Sequence, residues 1–183
     1  MLLLIAGLFI SCDEPAVPRK RGYLRIELPK PTYKVFDPPS CPFKFEISQL
    51  AIPAPDTNSL SEPCWWYINY PSLNGQIFLS YKKVNNNFDL FAEDARTLVY
   101  KHTQRANSID EEMVANDYHA SGILYSIGGD AASSVQFYVS DSSKHFLRGA
   151  LYFYSKPNSD SLAPVIQYIK EDISRMLATM QWK

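Results

Sequence analysis

The sequence holds little of what most active sites and metal centres are built from. Its 183 residues include three histidines, three cysteines and seven glycines. His102, His119 and His145 fall in three separate predicted elements, so none pairs with another at metal-ligand spacing. No glycine-rich loop precedes a helix with a phosphate-binding lysine. No G-x-S-x-G elbow stands near a histidine, and "GGDAASS" at 128–134 fits a turn instead. The carboxylate pairs Glu93–Asp94 and Glu111–Glu112 are neighbours on predicted helices. Such neighbours point about 100° apart, which suits a solvated face and not a paired acid and base. Neither sign of charge is in excess, with 18 Lys and Arg against 19 Asp and Glu, so nothing draws the chain to nucleic acid in general. These absences leave no expected cofactor, metal or catalytic residue.

The one long apolar run, Met1 to Ile10, is too short to span a bilayer, which takes about 20 residues, but has the length of an export-signal core. It ends in "SCDEP", where Asp13, Glu14 and Pro15 stop any helix. That pattern predicts a bacterial lipoprotein signal at 1–11, cleaved between Ser11 and Cys12, with the Cys12 thiol carrying the lipid. Phe9 stands where Leu is common, and no Lys or Arg precedes the run. A buried core element of a cytosolic protein is the alternative. With Cys12 on lipid, Cys41 and Cys64 remain, an even number in an oxidising compartment. A disulfide between them closes a loop of about 23 residues, worth about 3 kcal/mol on the chain-entropy account. Two separate buried thiols are the alternative.

Residues 12–42 read as a proline-rich tether. Arg19, Lys20 and Arg21 lie close to the lipid, where each basic residue is worth about 1 kcal/mol against an anionic leaflet; a solvated linker is the alternative. Tyr23, Leu24, Ile26 and Leu28 are too apolar for a free linker and are expected to pack along a single domain at 43–183. "FKFEI" at 43–47 alternates as a half-buried strand. "CWWYINYP" and "QIFLSYK" flank the Asn74–Gly75 turn signal and predict a hairpin, with 50–63 a loop. A helix starts near Asn87, with Phe88, Phe91, Ala92, Ala95, Leu98, Val99 and His102 on one stripe. "SIDE" at 108–111 fits a capping box and a short helix. Strands follow at about 118–127, 134–140 and 145–154. A long helix closes the chain, with a cap among Ser159, Asp160 and Ser161 and Pro164 in its first turn. The order predicts an α+β fold, a mainly antiparallel sheet flanked by two long helices. By element order it resembles the three-layer PsbP/Mog1-like sandwich.

Two stretches stand out as candidate contacts. On a strand at 145–154, His145 shares one face with Leu147 and Leu151, while Arg148 shares the other with Phe146, Ala150, Tyr152 and Tyr154. A cation among apolar neighbours needs a partner, inside the protein as a clamp or outside it as a ligand. "WWY" at 65–67 offers stacking surface for sugar or peptide, but Trp65 and Trp66 must point to opposite faces, so at least one is expected in the core.

Several collinear segments together resemble the GldD family of gliding-motility lipoproteins of Bacteroidetes. They are the cysteine after the export segment, "PRKRGYLRIELP", "CPFKFE", "CWWYINYP", "LSYKK", "DARTLVYKHT", "HFLRGALYF" and "DSLAPVIQYI". The resemblance implies a cell-envelope lipoprotein needed for gliding and linked to type IX secretion. It implies no catalytic residue, and transfers only Cys12, as the lipidation site. The expected partners are the membrane, through the N-terminal lipid, and other gliding and secretion proteins. The expected place is the outer membrane, facing the periplasm. Asp13–Glu14, a weak form of an acidic surface-export signal, keeps surface display as the alternative. The functional expectation is a non-enzymatic assembly or scaffold component; the alternative is a lipoprotein binding glycan or peptide on an aromatic cleft.

Overall fold

The computed structural model describes residues 27–155 and 159–183. The signal segment, Cys12, Arg19, Lys20, Arg21 and Tyr23 lie outside the described residues.

Two antiparallel sheets form the frame. The larger has seven strands in the order β3-β4-β5-β9-β8-β7-β6: β3 is Ile52–Pro55, β4 Trp66–Tyr70, β5 Gly75–Lys83, β6 Ala106–Ala115, β7 Ser121–Gly129, β8 Ser133–Ser140 and β9 His145–Phe153. The smaller has the order β1-β2-β10: β1 is Tyr33–Phe36, β2 Phe43–Ser48 and β10 Gln181–Trp182. Helix α1, Phe88–Tyr100, lies between β5 and β6, and α2, Ser159–Thr179, between β9 and β10.

Period-two alternation sends side chains of the large sheet into two separate cores. On one face Ile68, Ile77, Leu79, Leu147, Leu151 and Phe137 meet Ile169, Ile173 and Met176 of α2 and Phe43, Phe45 and Ile47 of β2. All of these are at most 2% exposed, and full burial of such a side chain is worth about 1.5–3 kcal/mol. On the other face Tyr125, Ile127, Tyr138 and Phe146 meet Ala95 and Val99 of α1, with Phe88 and Phe91 packed beside them. The first core is packed tightly at Gly149, since a Cβ there would sit 2.2 Å from the Phe137 ring.

Several expectations change. The two helices are unequal, 13 and 21 residues, so two long helices do not flank the sheet. "SIDE" is not helical but the middle of β6, whose Ile109 pairs with Ile127 of β7. Strand pairing overrides the local cap signal, because the strand packs Ile109, partly buried, against α1's core. Within 50–63, residues 52–55 form β3 despite Pro53 and Pro55, which an edge strand tolerates. Gly128 and Gly129 belong to β7, not to the turn after it. Residues 33–36, counted with the tether, pair with β2 across four positions. Pro164 lies beyond the first turn of α2, which begins at Ser159. Asn87 precedes α1 without a side-chain cap bond; its Oδ1 accepts from the Asn85 backbone N–H at 2.7 Å. Leu98, on the predicted stripe, is 38% exposed. Cys41 and Cys64 are joined by a disulfide with Cα atoms 5.5 Å apart, tying the start of β2 to the start of β4.

Candidate functional site: an aromatic sheet face around Arg148

On the α1 side of the sheet, the β4-β5-β9 end carries half-exposed side chains. Tyr67 of β4 stands opposite Phe78 of β5, and Phe78 opposite Ala150 of β9. In the next row Ser80 faces Arg148, and in the row on the other side Gln76 faces Tyr152. Trp65, just before β4, meets Phe78 edge-on at 5.6 Å between ring centroids, and Phe78 meets Tyr67 at 5.3 Å. The Trp65 indole N–H donates to the Tyr81 carbonyl at 3.1 Å, which fixes the ring. The Lys82 ammonium lies 5.3 Å from the Trp65 ring centre and pairs with Glu62. Tyr152 and Tyr154 extend the aromatic surface, 36% and 68% exposed.

Arg148 is half-buried at the inner margin of this face. Its Nη2 donates to Gln136 Oε1 at 2.6 Å, and Tyr152 stands beside it. Among the described residues no carboxylate pairs with it. Burial pushes the guanidinium below its ordinary range, with Tyr152 partly opposing. Burial, and then the nearby Arg148, hold His102 below the usual imidazole value. Gln136 is 1% exposed, and its Nε2 has no partner among the described residues. The arrangement can hold a planar or apolar group on the rings and a polar or anionic group at Arg148.

The sequence candidates divide between the faces. Trp65 and Arg148 share the open face. Trp66 packs on the opposite side against Phe36, ring centroids 5.0 Å apart. His145 also lies opposite Arg148; its Nδ1 bonds the Tyr81 hydroxyl at 2.8 Å, and its ring stacks on Trp182 at 5.1 Å. Burial holds His145 below the ordinary imidazole value despite Asp141. It is thus half-buried and tied into the junction of the two sheets.

Sequence reasoning missed Phe78 and Gln136. Gln136 had a signal, an amide between Val135 and Phe137 in the aliphatic and aromatic run at 135–139. A second missed feature is Asp172, 1% exposed on the buried stripe of α2. Hydroxyls of Tyr33, Ser48 and Tyr70 surround it, yet neither carboxylate oxygen closes a well-formed hydrogen bond. Burial raises its pKa above the ordinary carboxylate value.

Comparison with known proteins places this geometry. The family described as "Gliding motility lipoprotein GldD" matches residues 13–182. The chain belongs to the GldD family of gliding motility lipoproteins. GldD membership associates it with gliding motility and with lipid anchoring in the envelope, and the family's description carries no enzymatic activity. No curated protein matches the sequence. Among solved structures, the cyanobacterial PsbP (CyanoP) of Synechocystis sp. PCC 6803 is similar, with a TM-score of 0.51 and 8% identity. The match covers 82% of this chain and 92% of that one. At that identity the likeness is one of fold, an α+β PsbP-like domain.

Proposed function

We propose that this GldD-family chain is a non-enzymatic assembly or scaffold component of the gliding apparatus and the type IX secretion machinery linked to it. Cys12 carries the lipid, and the domain faces the periplasm from the outer membrane. The family match across residues 13–182 carries this reading. Two further observations support it. The Cys41–Cys64 disulfide suits an oxidising compartment. The open face at Arg148 and Tyr152 is an aromatic and cationic surface of the composition that protein contacts favour. The basic run Arg19–Lys20–Arg21 would then sit near the headgroups, adding to acyl chains that bind only marginally when single.

Crosslinked pull-down from the native envelope tests the reading, comparing wild type, Cys12→Ala and Arg148→Ala. Recovery of gliding and secretion proteins by wild type, reduced in both variants, is the expected result. Recovery of nothing above background from wild type would overturn it. In that case the aromatic row Trp65–Phe78–Tyr67 beside Arg148 favours a second reading, a lipoprotein that binds glycan or peptide on this face. A glycan screen with Tyr67→Ala as control tests that one.

A further inference from the structure

The two edges of the large sheet are protected very differently. At one end β3 is four residues long and carries two prolines, which cannot donate to a further strand. At the other end β6 is ten residues long with neither proline nor glycine. From Ser108 to Ala115 its register with β7 is unbroken. Among the described residues, no backbone hydrogen bond joins its outer side to another element. Its side chains are exposed along most of its length, and Met113 reaches 90%.

The two faces of β6 differ in chemistry. Asp110, Glu112 and Val114 stand opposite Ser126, Leu124 and Gly122, on the α2 side. Ile109, Glu111 and Met113 stand opposite Ile127, Tyr125 and Ile123, on the α1 side. Glu111 is engaged there by the Tyr100 hydroxyl at 3.0 Å. Asp110 and Glu112 are exposed, and no basic residue pairs with either among the described residues. A groove flanks the strand on each side. On the α1 side, about 500 Å³ lies between Met113, Ile123, Tyr138 and Phe88. On the α2 side, about 270 Å³ lies between Glu112, Val114, Ser174 and Leu177.

We infer that the outer edge of β6 is a docking site for an extended segment of another protein, added as an eighth strand. That segment carries apolar side chains toward Met113 and Phe88 and basic ones toward Asp110 and Glu112. Main-chain pairing supplies the affinity, and the alternate side chains entering two different grooves supply the specificity. A second copy of β6 fits badly, because antiparallel self-pairing sets the Asp110–Glu111–Glu112 run against itself, and like charges directly opposite are destabilising. This surface is distinct from the Arg148 face, so the Arg148→Ala pull-down and the experiment below fail independently.

The probe is a labelled ten-residue peptide alternating Val and Lys, titrated into the full chain, with an alternating Val–Glu peptide as comparison. The Val–Lys peptide is expected to bind at least tenfold more tightly. Glu112→Lys should weaken it at least fivefold while leaving the melting temperature within a few degrees. An added strand donates from alternate residues only. Of two peptides N-methylated at odd or at even positions, one should therefore lose binding and the other keep it. Equal loss from both, or binding indifferent to Glu112→Lys, would overturn the inference. So would tighter binding of a peptide with the sequence of residues 18–30, or a dimer of the full chain dispersed by Glu112→Lys, since either names this chain as the occupant.

Discussion

Removing the disulfide tests how the first core is held. Cys41 and Cys64 are 23 residues apart in sequence. Closing a loop of that length in the unfolded chain removes about 11 cal/mol/K of entropy, or about 3.4 kcal/mol at 25 °C. The bond does more than close a loop. Cys41 is 4% exposed and belongs to the main core, and Trp66, two residues after Cys64, packs on Phe36 of β1. In a domain of this size 1 kcal/mol moves the melting temperature by about 2–4 °C, so the cost is about 7–14 °C. The assay is thermal unfolding followed by circular dichroism, for wild type with and without reductant and for the double variant Cys41→Ala/Cys64→Ala. Reduced wild type and the double variant should melt close together, both well below the oxidised protein. Three coincident melting curves would refute the entropic account and the pairing with it.

Three shorter tests follow. Asp172 has a raised pKa in the fold, so its contribution is most favourable below the ordinary value of 3.8 and is lost as pH rises through the folded value. Asp172→Asn should accordingly melt above wild type at pH 7, with the gap closing toward pH 4; a gap that widens on acidification would contradict the burial argument. Gly149→Ala should cost about 3 kcal/mol through overpacking against Phe137, measured by urea unfolding, and Phe137→Leu in the same chain should recover part of it. An additive double variant would show that the two residues do not compete for that space. Cys12→Ala should release the protein from salt-washed membranes with its circular dichroism spectrum unchanged, and persistence in the pellet would exclude the lipid as anchor.

Much of the fold was legible wherever one periodicity acted alone. Phe43, Phe45 and Ile47 alternate cleanly into the core, and Val165, Ile169, Ile173 and Met176 form the buried stripe of α2. The misread stretches are those where a local signal competed with a distant partner. Ser108 and Glu111 have the spacing of a capping box, but β7 supplies a ladder that the local sequence does not reveal. β1 and β10 are short, and each exists because β2 is there to pair with. The candidate site was half legible. Alternation put Arg148 and Tyr152 on one face and split Trp65 from Trp66. It put Tyr67 beside Trp65 as well, but could not bring Phe78 there, because that neighbour depends on β5 lying between β4 and β9.

That order of strands also sets a clock. β2 lies between β1 and β10, and Phe43 pairs with Trp182. The small sheet therefore cannot close until Trp182 has been made. Pairings this distant in sequence are slow to form. The same three strands tie the two flanks of the described domain together, so the small sheet is expected to be among the late-forming parts of the fold.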